Sequence, residues 1–259
     1  MPRPSVASAA APTLREWLAE GPFDLGLSAG FFGFFAHCGV VSVLEDAGLV
    51  PARVAGASAG ALIGGLWASG LDAGRLATAL RGLRRGDFWD PAPGLGLLRG
   101  RRFRALLDEL LVAKTFETAP VRAAVSACDL LAWRTVVLAR GALAPAIQAS
   151  CTFPLLFQPL WLDGRLYADG GILDRHGLAG LPGAGRLLFH HLTSRSPWRR
   201  AGSAALAVPA RPGMVTLLVR DLPRLGPFRL GRGPVALAQA RAAARRALDC
   251  RVVDGCVVV

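Results

Sequence analysis

Short continuous apolar runs along this chain end in clusters of small residues, and each is followed by a longer segment with helical spacing. Residues 23–27 pass through Ser28-Ala29-Gly30-Phe31-Phe32-Gly33 into a helix expected to reach Leu44. Arg53-Val54-Ala55 passes through Gly56-Ala57-Ser58-Ala59-Gly60 into a helix expected to reach Ala68. Strand, loop and helix in close succession imply a parallel sheet with right-handed crossovers, an α/β fold. Residues 75–111 look helical and basic, broken at Pro91-Ala92-Pro93-Gly94, and are expected to cap the sheet edge. Residues 121–128 and 134–138 are expected as core strands, 144–151 as a short helix stopped by Pro154, and 187–193 as a further strand. Residues 161–167 form a hairpin around Asp163-Gly164, a dipeptide suited to a tight turn. Residues 194–212 have the composition of a linker, and 234–248 that of a closing Ala/Arg helix. The first 20 residues are expected to be a loose arm and 21–259 a single domain; no internal repeat is present.

Residues 25–44 carry no charge apart from a charge on His37, and the stretch has the length of a membrane span. Gly26, Gly30, Gly33 and Gly39 interrupt it, and its pattern changes from strand to helix partway, so a buried strand-loop-helix is preferred.

Of the 259 residues, 53% are hydrophobic and 19% charged, which excludes disordered and fibrous classes and requires a large core. Lys and Arg exceed Asp and Glu by 30 to 18, leaving +12 at pH 7, and Lys114 is the only lysine. That balance favours polyanions and anionic membranes as partners, although Arg and Ala enrichment together also follow from coding composition. Cys38, Cys128, Cys151, Cys250 and Cys256 show no CxxC pairing, which points to buried thiols in a reducing compartment. The first twenty residues lack the apolar stretch of a signal peptide, so a cytoplasmic location is expected.

Gly-x-Ser-x-Gly occurs twice, at Gly26 to Gly30 and at Gly56 to Gly60. The motif has chemical meaning where it joins a strand to a helix, because a strained turn then lifts the serine hydroxyl above the sheet at a helix N-terminus. Both copies meet that condition. Ala57, Ala59, Gly60 and Ala61 surround Ser58 with small side chains, whereas bulky Phe31 and Phe32 soon follow Ser28. Ser58 is therefore the favoured nucleophile, and the first loop the donor of backbone N–H groups. Two tight turns with small serines remain the alternative. For the base, Asp163 sits where an aspartate serves its own turn. Asp169 opens Asp169-Gly170-Gly171, where close backbone approach leaves the carboxylate room to face a serine, though a turn role fits it equally.

Three blocks in order, LSAGFFGFFAHCGVVSVLEDAGL (27–49), GASAGAL (56–62) and SCTFPLLFQPLWLDGRLYADGG (150–171), make the chain resemble the patatin-like phospholipase family of lipid acyl hydrolases. The resemblance implies a three-layer α/β/α fold with a mainly parallel central sheet, making 21–259 a patatin-like catalytic domain. It implies a Ser–Asp dyad, with Ser58 as nucleophile in an elbow bounded by Gly56 and Gly60, and Asp169 as base supported by Gly170 and Gly171. The family's glycine run is reduced here to Ala29-Gly30-Phe31-Phe32-Gly33 and lacks the usual basic residue, so the oxyanion hole falls to the N–H groups of Gly30 and Phe31.

A Ser-His-Asp triad is the main rival, and the chain offers His37, His176, His190 and His191. The resemblance makes His37 structural; His176 or His191 would serve an α/β-hydrolase-type esterase. His190 and His191 are adjacent in a strand, so one is expected to face the core and the other away. Seven arginines between Arg81 and Arg104, interleaved with Phe88, Trp89 and Phe103, suit an anionic lipid interface, and eight more between Arg220 and Arg251 could add to it. The expectation is a lipid acyl hydrolase acting on a lipid or phospholipid at a peripheral membrane surface, with no metal, organic cofactor or nucleic acid. A catalytically silent protein binding anionic lipid is the alternative from another class. Nothing in the sequence assigns an oligomeric state.

Overall fold

A computed structural model of the chain describes residues 11–193, 203 and 206–259. Among them, the central sheet has nine strands in the order β11-β10-β9-β1-β2-β4-β8-β7, with β5 paired to β4 on the side away from this path. These strands are β1 (Asp24–Leu27), β2 (Arg53–Ala57), β4 (Arg122–Asp129), β5 (Arg134–Leu138), β7 (Leu160–Leu162), β8 (Arg165–Ala168), β9 (Leu187–His191), β10 (Met214–Leu218) and β11 (Cys256–Val258). All pairs from β11 to β4 are parallel, whereas β5, β8 and β7 run antiparallel to their neighbours. Strands covered on both faces read as continuous apolar runs, and β1, β9 and β10 are buried at every position.

Helices α2 (Phe34–Asp46), α3 (Ala59–Ala68), α4 (Ala73–Gly82), α5 (Arg101–Leu110), α6 (Leu143–Ser150) and α7 (Gly233–Ala247) flank the sheet. Their apolar faces build the main core with Leu25, Leu27, Val54, Leu188 and Val215. On the opposite face Leu178 and Leu181 cover Ala55, Ala124 and Phe189. The uncharged stretch 25–44 divides between β1 and α2, and no helix among the described residues is long and apolar enough to cross a membrane.

Several expectations need correction. Within the expected arm, Leu14–Ala19 is a helix, α1, closed by a reciprocal Thr13–Glu16 capping box, with Leu14 and Leu18 buried and Thr13 bridged to Arg251. The arm's residues 1–10 lie outside the described set, as does most of the 194–212 linker. Strand β5 is a partly exposed edge rather than core, because it closes a hairpin with β4 and has no neighbour beyond it among the described residues. The basic stretch 75–111 is not helical throughout. Asp72 caps α4, while Asp90 accepts N–H bonds from Gly100, Arg101 and Arg102 at the start of α5. Between these helices runs a three-residue strand, β3 (Gly96–Leu98), paired in parallel with β6 (Leu155–Phe157). So short a strand has no period of its own, and it exists through a partner far along the chain. His190 and His191 are both buried, since β9 lies between β1 and β10 with both faces covered.

Candidate active site

The Gly56 to Gly60 turn joins β2 to α3 with Ser58 at φ 53° and ψ −117°. That left-handed backbone is costly for a residue with a Cβ and is tolerated only where its surroundings hold it. Here they do. Gly60 packs onto the end of β1 so closely that a Cβ would stand 2.0 Å from the Leu27 carbonyl oxygen, and one on Gly56 would meet Gly60 at 2.5 Å. The Ser58 N–H donates to Ser150 Oγ at 2.9 Å, while the Ser58 carbonyl accepts from Leu62 N at 2.9 Å and from the Cys151 thiol at 3.2 Å. The other copy of the motif differs: Ser28 is fully buried, and its hydroxyl accepts the Leu192 N–H at 2.8 Å.

Strand pairing brings Asp169 to Ser58. β2 pairs with β4 up to Ala57 opposite Ser126, and β8 pairs with β4 from Ala168 opposite Cys128. Because β5 occupies the other edge over residues 125–129, β2 and β8 share one edge and approach end to end. The residues that follow them, Ser58 and Asp169, are thereby placed face to face. Ser58 Oγ donates to Asp169 Oδ2 at 2.7 Å. Asp169 Oδ1 accepts the Gly171 N–H at 2.8 Å, and the Asp169 N–H donates to Thr152 O at 2.9 Å. Gly170 lies against β4, where a Cβ would stand 2.0 Å from the Ser126 carbonyl oxygen. Asp174 braces the turn by accepting from Ser126 Oγ at 2.6 Å and donating its N–H to Gly170 O.

Burial raises the Asp169 carboxyl from 3.8 to about 6; the Ser58 hydroxyl, the Gly171 N–H and the nearby Arg175 charge offset only part of that. The carboxylate is therefore ionised at neutral pH yet more basic than a solvated one. Asp163 has φ 48° beside Gly164 at the hairpin tip and serves that turn.

Ser58 opens into an apolar pocket whose empty space, with the open solvent at its mouth, comes to about 880 Å³. Leu66 of α3, Leu80 of α4 and Leu107 of α5 line its walls. Gly30 and Phe31 share the pocket with Ser58, and their N–H groups donate to no acceptor among the described residues. Ala59 lines it too, as the first residue of α3, whose N–H has no intrahelical carbonyl to meet. Phe88 and Phe103 are buried in the walls, not turned toward a lipid headgroup as expected, because their partners are Phe32 and Phe157.

The profile of patatin-like phospholipases matches residues 25–181, more than half of the chain. The chain belongs to this family. Two Mycobacterium bovis proteins described as uncharacterized NTE family proteins are 35% and 31% identical to it over 162 residues, 61% of this chain. Those residues make up 45% and 27% of their lengths, so the chain matches less than half of each relative. Among solved structures, VipD from Legionella pneumophila superposes with a TM-score of 0.63 at 15% identity, over 88% of this chain and 67% of that one, a likeness of fold alone.

In this patatin-like protein His37, His176 and His190 are engaged away from Ser58. His37 Nε2 lies 2.8 Å from the Ser28 carbonyl and must donate to it, which leaves Nδ1 to accept from His190 Nδ1 at 2.8 Å. Burial lowers both, His37 to about 4, so the pair is neutral. His176 Nε2 reaches Ala207 O at 3.0 Å, and burial lowers His191 to about 4. Sequence reasoning missed Ser150, Cys151 and Arg175 as neighbours of the dyad. The first two stand in the third family block, but no spacing rule ties a helix end to a strand end 92 residues earlier.

Proposed function

We propose that this protein is a lipid acyl hydrolase working through Ser58 and Asp169. The observation that carries this reading is the 2.7 Å hydrogen bond from Ser58 Oγ to a buried, ionised Asp169 at an apolar pocket. Ser58 Oγ attacks the ester carbonyl carbon as its proton passes to Asp169 Oδ2. The N–H groups of Gly30 and Phe31 face the carbonyl oxygen as it gains charge, with the N-terminal end of α3 adding to the same field. Collapse breaks the bond to the alcohol, which leaves with the proton held by Asp169. Water then attacks the acyl-enzyme, Asp169 takes its proton, and Ser58 recovers that proton as the fatty acid departs. The apolar walls would take the acyl chain, and neither step needs a metal or an organic cofactor.

The histidine triad is less well supported, because the hydrogen bonds of His37, His176 and His190 lead elsewhere and Asp169 already accepts from Ser58 directly. Labelling by a fluorophosphonate, followed by product analysis on a mixed lipid panel, tests the proposal. Native protein is expected to be labelled at Ser58 and to release fatty acids, and Ser58→Ala to do neither. A native protein that resists labelling and releases no fatty acid would leave only the silent lipid-binding alternative.

A further inference from the structure

The sheet ends at which β1 and β2 finish carry the pocket, and large apolar side chains stand exposed near the residues that line it. Leu95 is 79% exposed, Phe228 73%, Leu155 67% and Leu97 48%. Chain neighbours and ring contacts tie them to the pocket lining. Leu95 and Leu97 lie at β3, where Gly96 and Leu98 face inward, and Leu155 opens the paired strand β6. Phe153, two residues earlier, packs on Phe31 of the pocket at 4.9 Å, and a Cβ on Gly226 would reach Phe31 at 3.7 Å. Phe228 meets Trp89 edge to face at 5.8 Å, and the Arg85 guanidinium sits 5.2 Å from the Trp89 ring and 5.3 Å from the Phe228 ring.

Positive charge accompanies this rim. Arg84, Arg85, Arg99, Arg101 and Arg102 are exposed, and among the described residues none forms an ion pair. The carboxylates between them are engaged elsewhere, since Asp87 accepts the Arg84 N–H and Asp90 the N–H groups that open α5. Apolar side chains around a mouth, flanked by guanidinium groups without carboxylate partners, match the boundary between acyl chains and anionic headgroups.

We infer that this rim, the β3–β6 plate with Phe228 and the arginines beside it, docks on an anionic lipid surface and delivers the acyl chain into the pocket. The inference rests on the lipid-hydrolase reading and adds the face and orientation of binding. Leu95, Leu97, Leu155 and Phe228 enter the headgroup boundary, and Arg85 and Arg99 meet phosphates while the Arg85 guanidinium stays over the Trp89 and Phe228 rings. Docked this way, Ser58 faces the membrane and the N-terminal ends of the parallel strands face water.

Co-sedimentation with vesicles of phosphatidylcholine, alone or with roughly a third phosphatidylglycerol, tests the face. Native protein is expected to pellet with the mixed vesicles and to be released by high salt, which screens surface charge. Leu97→Ser with Phe228→Ser, and separately Arg85→Ala with Arg99→Ala, are expected to weaken binding by about tenfold or more. Val50→Ser is the control, a 60%-exposed position just before β2 at the end of that strand opposite Ser58. Hydrolysis of a short soluble ester should stay native in all of these variants. Vesicle binding that survives both double substitutions, or falls equally in Val50→Ser, would overturn the inference. So would a native dimer, seen by light scattering, that dissociates in Leu97→Ser with Phe228→Ser, because the face would then belong to a second copy. Binding is read without turnover, so failure of the docking face and failure of Ser58→Ala to abolish hydrolysis are separate results.

Discussion

The Ser58 N–H donates to the side chain of Ser150, not to a backbone carbonyl, across 2.9 Å. A residue at φ 53° turns its N–H away from the ladder that β2 has followed, and Ser150, fully buried at the end of α6, receives it. Ser150→Ala leaves that N–H without a partner in a buried place, at a cost of about 1–3 kcal/mol. The expected result is a lower melting temperature together with a fall of about tenfold in kcat for a short soluble ester, as Ser58 relaxes from its strained turn. KM should change little, because Ser150 does not line the pocket. A variant that loses stability but keeps native kcat would reduce Ser150 to a packing role.

Ser58→Ala should remove ester hydrolysis and leave the fold intact, since the elbow is built from small residues. Ser28→Ala should keep activity and lose stability instead, because the Ser28 hydroxyl accepts the Leu192 N–H inside the core. Initial rates and thermal melts on the two variants separate these outcomes. An essential Ser28 beside a dispensable Ser58 would falsify the assignment of the two turns.

The Asp169 carboxyl titrates at about 6, and the ionised form is the base, so kcat/KM on a neutral ester should rise with pH through about 6 and level off above it. Asp169→Asn keeps the shape and removes the base, with a loss of about 10²–10⁴-fold or more above pH 6, shrinking at lower pH as the native carboxylate itself takes up a proton. Stability moves the opposite way. A carboxyl raised from 3.8 to about 6 by burial costs the fold about 3 kcal/mol at most above pH 6, relieved as pH falls from 6 towards 3.8. Asp169→Asn should therefore melt higher than native protein at pH 8, with the difference shrinking by pH 5. An inactive variant that is less stable at pH 8 would contradict the buried-charge account.

Much of this arrangement is legible before any coordinates. The strand-to-helix turns around Ser28 and Ser58 are written in apolar runs that end in Gly and Ala, and Asp163-Gly164 marks its hairpin by turn chemistry alone. Patterning could not show that β2 and β8 meet end to end along β4, because that depends on which edge each strand takes. The juxtaposition of Ser58 and Asp169 was thus available only through family resemblance. Phe88 and Phe103 illustrate the reverse error. Interleaved with arginines they look interfacial, but Phe88 follows a short turn and Phe103 sits on α5, both packed inward, while Leu95, Leu97 and Leu155 stay exposed at or beside short strands that carry no periodic signal.

The histidines decide between dyad and triad, and their pH behaviour supplies an independent check. If Asp169 acts directly, His37→Gln, His176→Gln, His190→Gln and His191→Gln should each keep at least roughly a tenth of native turnover once folding is verified, a smaller loss than removal of a general base usually causes. Any one of them as damaging as Ser58→Ala would reject the dyad. His37 and His190 are held neutral by burial, with His37 lowered from 6.5 to about 4. As pH falls from 6.5 towards 4, the unfolded chain takes up protons that the folded pair refuses, so these residues withdraw stability in that window. Asp169 changes stability in the opposite direction over part of the same range, and only its effect appears in the pH–rate profile. His37→Gln should accordingly flatten the acid side of the stability curve while leaving the midpoint of kcat/KM near 6. Under a triad through His37, that midpoint would disappear with the imidazole.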